Sequence, residues 1–241
     1  MSQERFERSR RAARWRRIRH ILSGLLVVAL LGSLVWLVWF SDVLNVRRVE
    51  IDGQKTMSAA DIRTQAAVPI GGPLARADLG AIETRIASMP RVDSVEARRS
   101  WPHIVSIKVR ERVPIAWVHI DGQTRLVDRH GVDFRTVQAG PSSLIELRIG
   151  TADPDIRVKA FESATRVIVF LRRDGRDVFN AARYVSADTQ DSVHLKLSRD
   201  RMVVWGSAEK GSKKLAVLRA LLKVKASRYD VSAPELPTTK K

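Results

Sequence analysis

Trp101-Pro102-His103-Ile104-Val105-Ser106-Ile107-Lys108-Val109-Arg110-Glu111-Arg112-Val113-Pro114 is the stretch on which the fold turns. After the Trp-Pro corner, Val105, Ile107 and Val109 alternate with Ser106, Lys108 and Arg110. Successive strand side chains point to opposite faces, so this period of two predicts a strand with one buried and one wet face. The alternation stops at Glu111-Arg112-Val113-Pro114, where proline withholds a backbone donor and the composition changes. One short stretch therefore predicts both the last strand of a first domain and the border of a second.

Reading back from the corner, Val92 to Arg99 is a second strand. Before it, Asp78 caps a helix whose apolar positions Leu79, Ile82, Ile86 and Met89 recur at helical spacing until Pro90. Ser58-Ala59-Ala60-Asp61 has the capping-box pattern and opens a helix through about Ala67, which Pro69 and Gly71-Gly72-Pro73 break. Val49 and Ile51 face away from Arg48, Glu50 and Asp52 in a first strand closed by Gly53. The order is strand, helix, helix, strand, strand, with a hinge expected near residues 113–116.

Reading forward, the chain is mostly strands. Asp121-Gly122 between Ile115–Ile120 and Thr124–Val127 is a two-residue hairpin signal, because both positions suit positive φ. Asp128-Arg129-His130-Gly131 suits a longer hairpin before Val132–Arg135, and Ile145, Leu147 and Ile149 alternate in another strand. Asp153-Pro154 is an N-cap with proline at the first helical position, followed by the stripe Ile156, Ala160, Ala164, Val167 and Leu171. Loops are expected at 135–143 and 174–181. Strands are predicted at 183–187, 193–197 and 202–205, a helix at about 208–225 and a short strand at Tyr229–Ser232. Pro234 and Pro237 predict an extended tail with no regular strand.

The amino end fixes where these domains work. Residues 21–40 carry no charge and span a ~30 Å hydrocarbon core as one helix, with Trp36 and Trp39 near one end and Trp15 before the other. The head, 1–20, holds eight arginines against Glu4 and Glu7, whereas charges in 41–60 cancel. The positive-inside rule places the head in the cytoplasm and the remainder outside. The run ends Trp39-Phe40-Ser41-Asp42 and not in a small-x-small cleavage site, so an uncleaved anchor is expected over a signal peptide.

Net charge is +17, of which +11 lies beyond the head, scattered and not blocked. Without an aromatic RNA-binding motif, a zinc finger or a basic zipper, this reads as a basic surface facing an anionic membrane or wall polymer, with no nucleic acid expected. The absence of cysteine excludes disulfides, thiol catalysis and cysteine-ligated metals. None of the five histidines has metal-ligand spacing; Asp128-x-His130 comes nearest, inside a turn. No nucleophile elbow, P-loop or dinucleotide fingerprint occurs. Glu111 beside Arg112 reads as a solvated charge or a junction ion pair, not as an acid/base group. The residues suggest a protein that binds, with no catalytic residues, cofactor, metal or small-molecule substrate.

The landmarks carry a resemblance. Val49-x-Ile51-x-Gly53, Asp61-Ile62, Gly72-x-Leu74, Asp78-Leu79, Pro90-x-Val92, Arg99-x-Trp101-Pro102 and Glu111-Arg112-x-Pro114-x-Ala116 resemble the FtsQ/DivIB family of bacterial division proteins. Leu126-Val127-Asp128-x-x-Gly131-Val132-x-Phe134 is similar to the start of that family's second domain. Trp205, Lys213-Lys214-Leu215 and Tyr229-Asp230-Val231-Ser232-x-Pro234 are similar to its end. The resemblance implies an α+β chain: a single transmembrane helix, a POTRA domain at 43–113, a mixed β-sheet domain with two helices at 114–233 and a tail at 234–241. It implies a single-pass scaffold of the division septum, partnered by FtsB/DivIC-type and FtsL-type bitopic proteins. In the family the distal domain binds the FtsB-type partner by strand addition near its C-terminal end. That points to Tyr229, Asp230, Val231 and Ser232, with Tyr229 and Val231 on one face selecting the partner, or to an edge elsewhere. A POTRA-bearing chaperone or secretion component and a wall-active enzyme remain the alternatives.

Overall fold

The computed structural model describes Trp15, residues 19–33, 35–36 and 44–241. Residues 19–33 and 35–36 are helical and exposed; 37–40 of the expected anchor and most of the basic head lie outside the described residues. Among the described residues, no helix is long and apolar enough to cross a membrane. The chain divides into two compact units, Met1–Glu111 and Arg112–Lys241.

In the first unit, β1 (Arg48–Asp52) pairs in parallel with β3 (Ile104–Glu111), and β3 pairs antiparallel with β2 (Val92–Ser100). Two helices, α1 (Ala59–Ala66) and α2 (Leu79–Ala87), join β1 to β2. The caps read from the sequence are in place: Ser58 Oγ accepts the Ala60 N–H at 3.1 Å, and Asp78 Oδ1 the Ala81 N–H at 3.0 Å. Ile62, Ile82 and Ile86 from the helices and Val49, Val105, Ile107 and Val109 from the strands form one core. Arg85 ties the helices together by donating to the Ala66 carbonyl that ends α1, at 2.6 and 3.0 Å.

Glu111 is not a solvated charge, and its ion pair is with Arg91 of its own unit, at 4.0 Å. Its side chain is 10% exposed and folds back over the loop after β1. There it accepts the backbone N–H groups of Lys55, Thr56 and Met57 at 2.5, 2.8 and 2.9 Å, and the Thr56 hydroxyl. Burial alone would push this carboxyl up; the donors of Thr56, Lys55 and Met57 outweigh it and hold the pKa at about 2.

The second unit is a nine-stranded sheet in the order β12-β11-β10-β9-β8-β7-β4-β5-β6. Its strands are β4 (Pro114–Ile120), β5 (Gln123–Asp128), β6 (Asp133–Val137), β7 (Ile145–Ile149), β8 (Ala182–Ala187), β9 (Val193–Leu197), β10 (Met202–Gly206), β11 (Arg228–Asp230) and β12 (Thr238–Lys240). The β4–β5 hairpin closes through Asp121 and Gly122, both at positive φ, 51° and 74°. The next turn is built on Asp128, 2% exposed. It accepts the His130 and Val132 N–H groups at 2.8 and 2.9 Å and pairs with Arg112 at 2.6 Å.

Three pairs, β4–β7, β7–β8 and β10–β11, are parallel, and the last two are bridged by helices. The first bridge is α3 (Pro154–Asp174) followed by α4 (Arg176–Ala181); the second is α5 (Gly211–Leu221). Ala160, Ala164, Val167, Ile168 and Leu171 of α3 and Leu215 and Leu218 of α5 share one core with Val118, Leu147, Val185, Leu195 and Val203 of the strands.

Four expectations are corrected. Residues 176–181 form a helix and not a loop, giving this unit three helices and not two, with Val178 buried in the core. Ile156 stands 40% exposed, outside the buried stripe of α3. The helix expected over 208–225 is confined to Gly211–Leu221, because Lys210 sits in the left-handed region at φ 54°. The tail contains the strand β12, since Pro237 lies just before it and leaves Thr238, Thr239 and Lys240 with their backbone donors.

Glu111→Gln tests the loop staple. The folded pKa lies below the unfolded value near 4.5, so the stabilisation is present above pH 4.5 and lost as pH falls toward 2. At pH 7 the substitution should cost the first unit at most about 3 kcal/mol. The gap to wild type should close as the pH drops from 4.5 to 2, read by hydrogen exchange of the Lys55, Thr56 and Met57 amides across a denaturant series.

Candidate partner-binding edge

The C-terminal strands hang on two large buried side chains. Trp205, at the end of β10, is fully buried and tilts against Phe170 of α3, with ring centroids 6.1 Å apart. Gly206 follows at φ 76°, and a Cβ there would come within 2.8 Å of the Ser232 side chain, so only glycine lets the two segments pass. Tyr229 is 1% exposed; its hydroxyl donates to the Val224 carbonyl at 2.8 Å and accepts the Ala226 N–H at 3.2 Å. Val231 is fully buried and its N–H donates to the Val204 carbonyl at 2.9 Å. Tyr229 and Val231 do share a face, as alternation predicts, but that face is the domain core.

Asp230 and Ser232 turn the chain off the sheet. The Asp230 carboxylate accepts the Ser232 N–H at 3.0 Å and its hydroxyl at 2.6 Å. Leu236 N–H then donates to the Ala233 carbonyl at 2.9 Å, and Pro234 is buried beneath this turn. Glu235 reaches Lys210 and Lys213 at the start of α5, 3.1 Å from each ammonium. Those two ammoniums hold the Glu235 carboxyl at about 2. Behind them Lys214 is buried at 1% exposure, its ammonium donating to the Ser207 carbonyl at 2.8 Å. Burial pulls its pKa below the usual lysine value, against the carboxylates of Glu209 and Asp191.

Clamped at Glu235, the tail returns antiparallel along β11, pairing Arg228 with Lys240, Tyr229 with Thr239 and Asp230 with Thr238. Tyr229 and Asp230 are therefore hydrogen-bonded strand on both sides, to β10 and to β12. The sequence-predicted segment lies one strand inside the edge. The open edge is β12, all three of whose residues are exposed; it ends the sheet as β6 does on the other side. Sequence reasoning passed over Thr238–Lys240, although two adjacent β-branched residues after Pro237 were a usable signal.

Among the described residues, no cluster of three or more His, Cys, Asp or Glu could hold a metal ion. The Asp128-x-His130 spacing resolves into a turn whose aspartate is spent on backbone N–H groups and Arg112.

A strand-helix-helix-strand-strand unit followed by a mixed sheet defines a POTRA-bearing protein of the α+β class. A POTRA domain of FtsQ type matches residues 44–112. The chain is 37% identical to the cell division protein FtsQ of Streptomyces venezuelae, over 92% of this chain and 83% of that one. It is 38% identical to FtsQ of Streptomyces bingchenggensis, over 95% and 89%, and 32% identical to FtsQ of Mycolicibacterium smegmatis, over 93% and 66%. The chain belongs to the FtsQ/DivIB family of bacterial cell division proteins.

Two substitutions at Tyr229 separate core from surface. Tyr229→Ala should destabilise the second unit by about 4 kcal/mol, as emptying a buried aromatic site does. Tyr229→Phe, which loses only the hydroxyl's two hydrogen bonds, should cost about 1–2 kcal/mol. Chemical denaturation of the full chain in detergent checks both; an alanine variant as stable as wild type would place the ring at the surface.

Proposed function

We propose that this chain is a non-enzymatic, single-pass scaffold of the division complex. In this reading residues 1–20 are the cytoplasmic head, 21–40 the anchor in the cell membrane, 43–113 the POTRA domain and 114–233 the β domain outside. Its site of action is the septum, and its partners are FtsB/DivIC-type and FtsL-type bitopic proteins. Family membership supports the division role, and the uncharged run with its +6 head supports the topology.

The observation that carries the binding mode is the edge at β12. Three exposed residues end a nine-stranded sheet, and their outward backbone groups can accept an extended partner segment. Tyr229, Asp230, Val231 and Ser232 then act from beneath, holding the strand on which the partner-bearing edge is laid.

Protease added to spheroplasts should digest nearly all of the chain beyond residue 40; protection of the C-terminal half would overturn the topology. Thr239→Pro, or truncation after Pro237, should weaken capture of an FtsB-type extracytoplasmic segment at least tenfold. Because β12 buries no side chain, both variants should stay within about 1 kcal/mol of wild type in stability. Pull-down with unfolding curves decides, and wild-type capture by both variants would exclude the β12 edge.

A further inference from the structure

Beyond the N-terminal helix, the described part of the first unit leaves two large apolar side chains in the open. Ile70 is 60% exposed and Trp101 51%. Both lie at one end of the three-stranded sheet, the end where the chain enters it. On one side, Gly71 N–H donates to the Val46 carbonyl and Val46 N–H to the Gly72 carbonyl, each at 2.8 Å, which fixes the Ile70 loop beside the incoming segment. On the other, Arg47 N–H donates to the His103 carbonyl at 2.8 Å, and His103 Nδ1 lies 3.2 Å from the Asn45 carbonyl oxygen. These contacts fix the Trp101-Pro102-His103 corner. Arg47 and Arg48, both exposed, follow Val46 at this end, Arg48 with its guanidinium 3.5 Å from the Glu50 carboxylate on the surface.

Asn45 is five residues past Phe40, where the uncharged run ends. Five residues reach at most about 17 Å. The headgroup layer of each leaflet takes up about 6 Å of that distance. The incoming end of the sheet is thus held close to the bilayer whichever path the connection takes. A tryptophan ring has an apolar body and a polar N–H, a combination suited to the headgroup boundary, and arginine pairs with lipid phosphate.

We propose that this end of the POTRA unit rests on the membrane surface from which the chain emerges. Ile70 and Trp101 enter the headgroup region, and Arg47 and Arg48 meet lipid phosphates. The contact holds the sheet end-on to the bilayer and restricts its tilt, while the opposite end, at Asp52, faces away from lipid. The inference rests on the reading of residues 21–40 as a membrane anchor.

The chain has no cysteine, so single-cysteine variants take one environment-sensitive fluorophore each. The full chain carrying Leu30→Cys, Ile70→Cys, Trp101→Cys or Asp52→Cys is placed in nanodiscs of phosphatidylethanolamine and phosphatidylglycerol, with or without brominated acyl chains. The Leu30 label should be strongly quenched by bromine. The Ile70 and Trp101 labels should be quenched at least about twofold and shifted to the blue, and the Asp52 label should be unaffected. Quenching at Leu30, with Ile70 and Trp101 behaving like Asp52, would overturn the surface contact and leave the anchor standing. An unquenched Leu30 label would remove the anchor, and the inference with it. Labels at Ile70 and Trp101 shielded only after division partners are reconstituted alongside would assign the patch to protein and overturn the lipid contact.

Discussion

Parallel pairing is the constraint on which the second unit depends. Antiparallel neighbours can be joined by a two-residue turn, as β4 and β5 are, but β7 to β8 and β10 to β11 must be bridged by long crossovers. β8 and β10 each run antiparallel to β9 and so parallel to each other. Both crossovers therefore start from like-directed strands and move toward β12. Since such connections are right-handed, both sets of helices are laid on the same face. The apolar alternation of β7, β8 and β9 answers to that covered face. The sheet can extend only at its margins, which places β6 and β12 there.

Its C-terminal margin joins interior and surface over a few residues. Trp205, Tyr229 and Val231 anchor β10 and β11 in the core, and Lys214 spends its charge on the Ser207 carbonyl. One strand further out, β12 has no buried side chain and is held by backbone pairing and by Glu235 between two lysines. Such a strand opens at a lower free energy than the core beneath it. It is also unburdened by packing, since all three of its residues are exposed.

Much of this was legible in the residues, because the signals were local. Capping at Ser58, Asp78 and Asp153, the Asp121-Gly122 turn and the alternation in β1, β3 and β7 depend on neighbours within a few positions. The misses involve contacts that sequence distance hides. The helix at Arg176–Ala181 has no apolar period of its own and is placed by burying Val178. Glu111 looks solvated until the loop of Lys55–Met57, more than fifty residues earlier, turns its amides toward it. The sequence places Tyr229 in a strand but not in the core, since period two tells which residues share a face and not which face is covered. The edge itself was displaced by a proline that precedes a strand, where it does no harm.

Glu111 and Arg112 share a peptide bond and little else. The acid closes a loop in the first core, and the base braces a turn at the margin of the second. The border between the two compact units therefore falls between consecutive residues of opposite charge, with no spacer for either unit to borrow. For a chain built on two cores, one unfolding free energy for the whole is not a well-defined quantity, and each core needs its own.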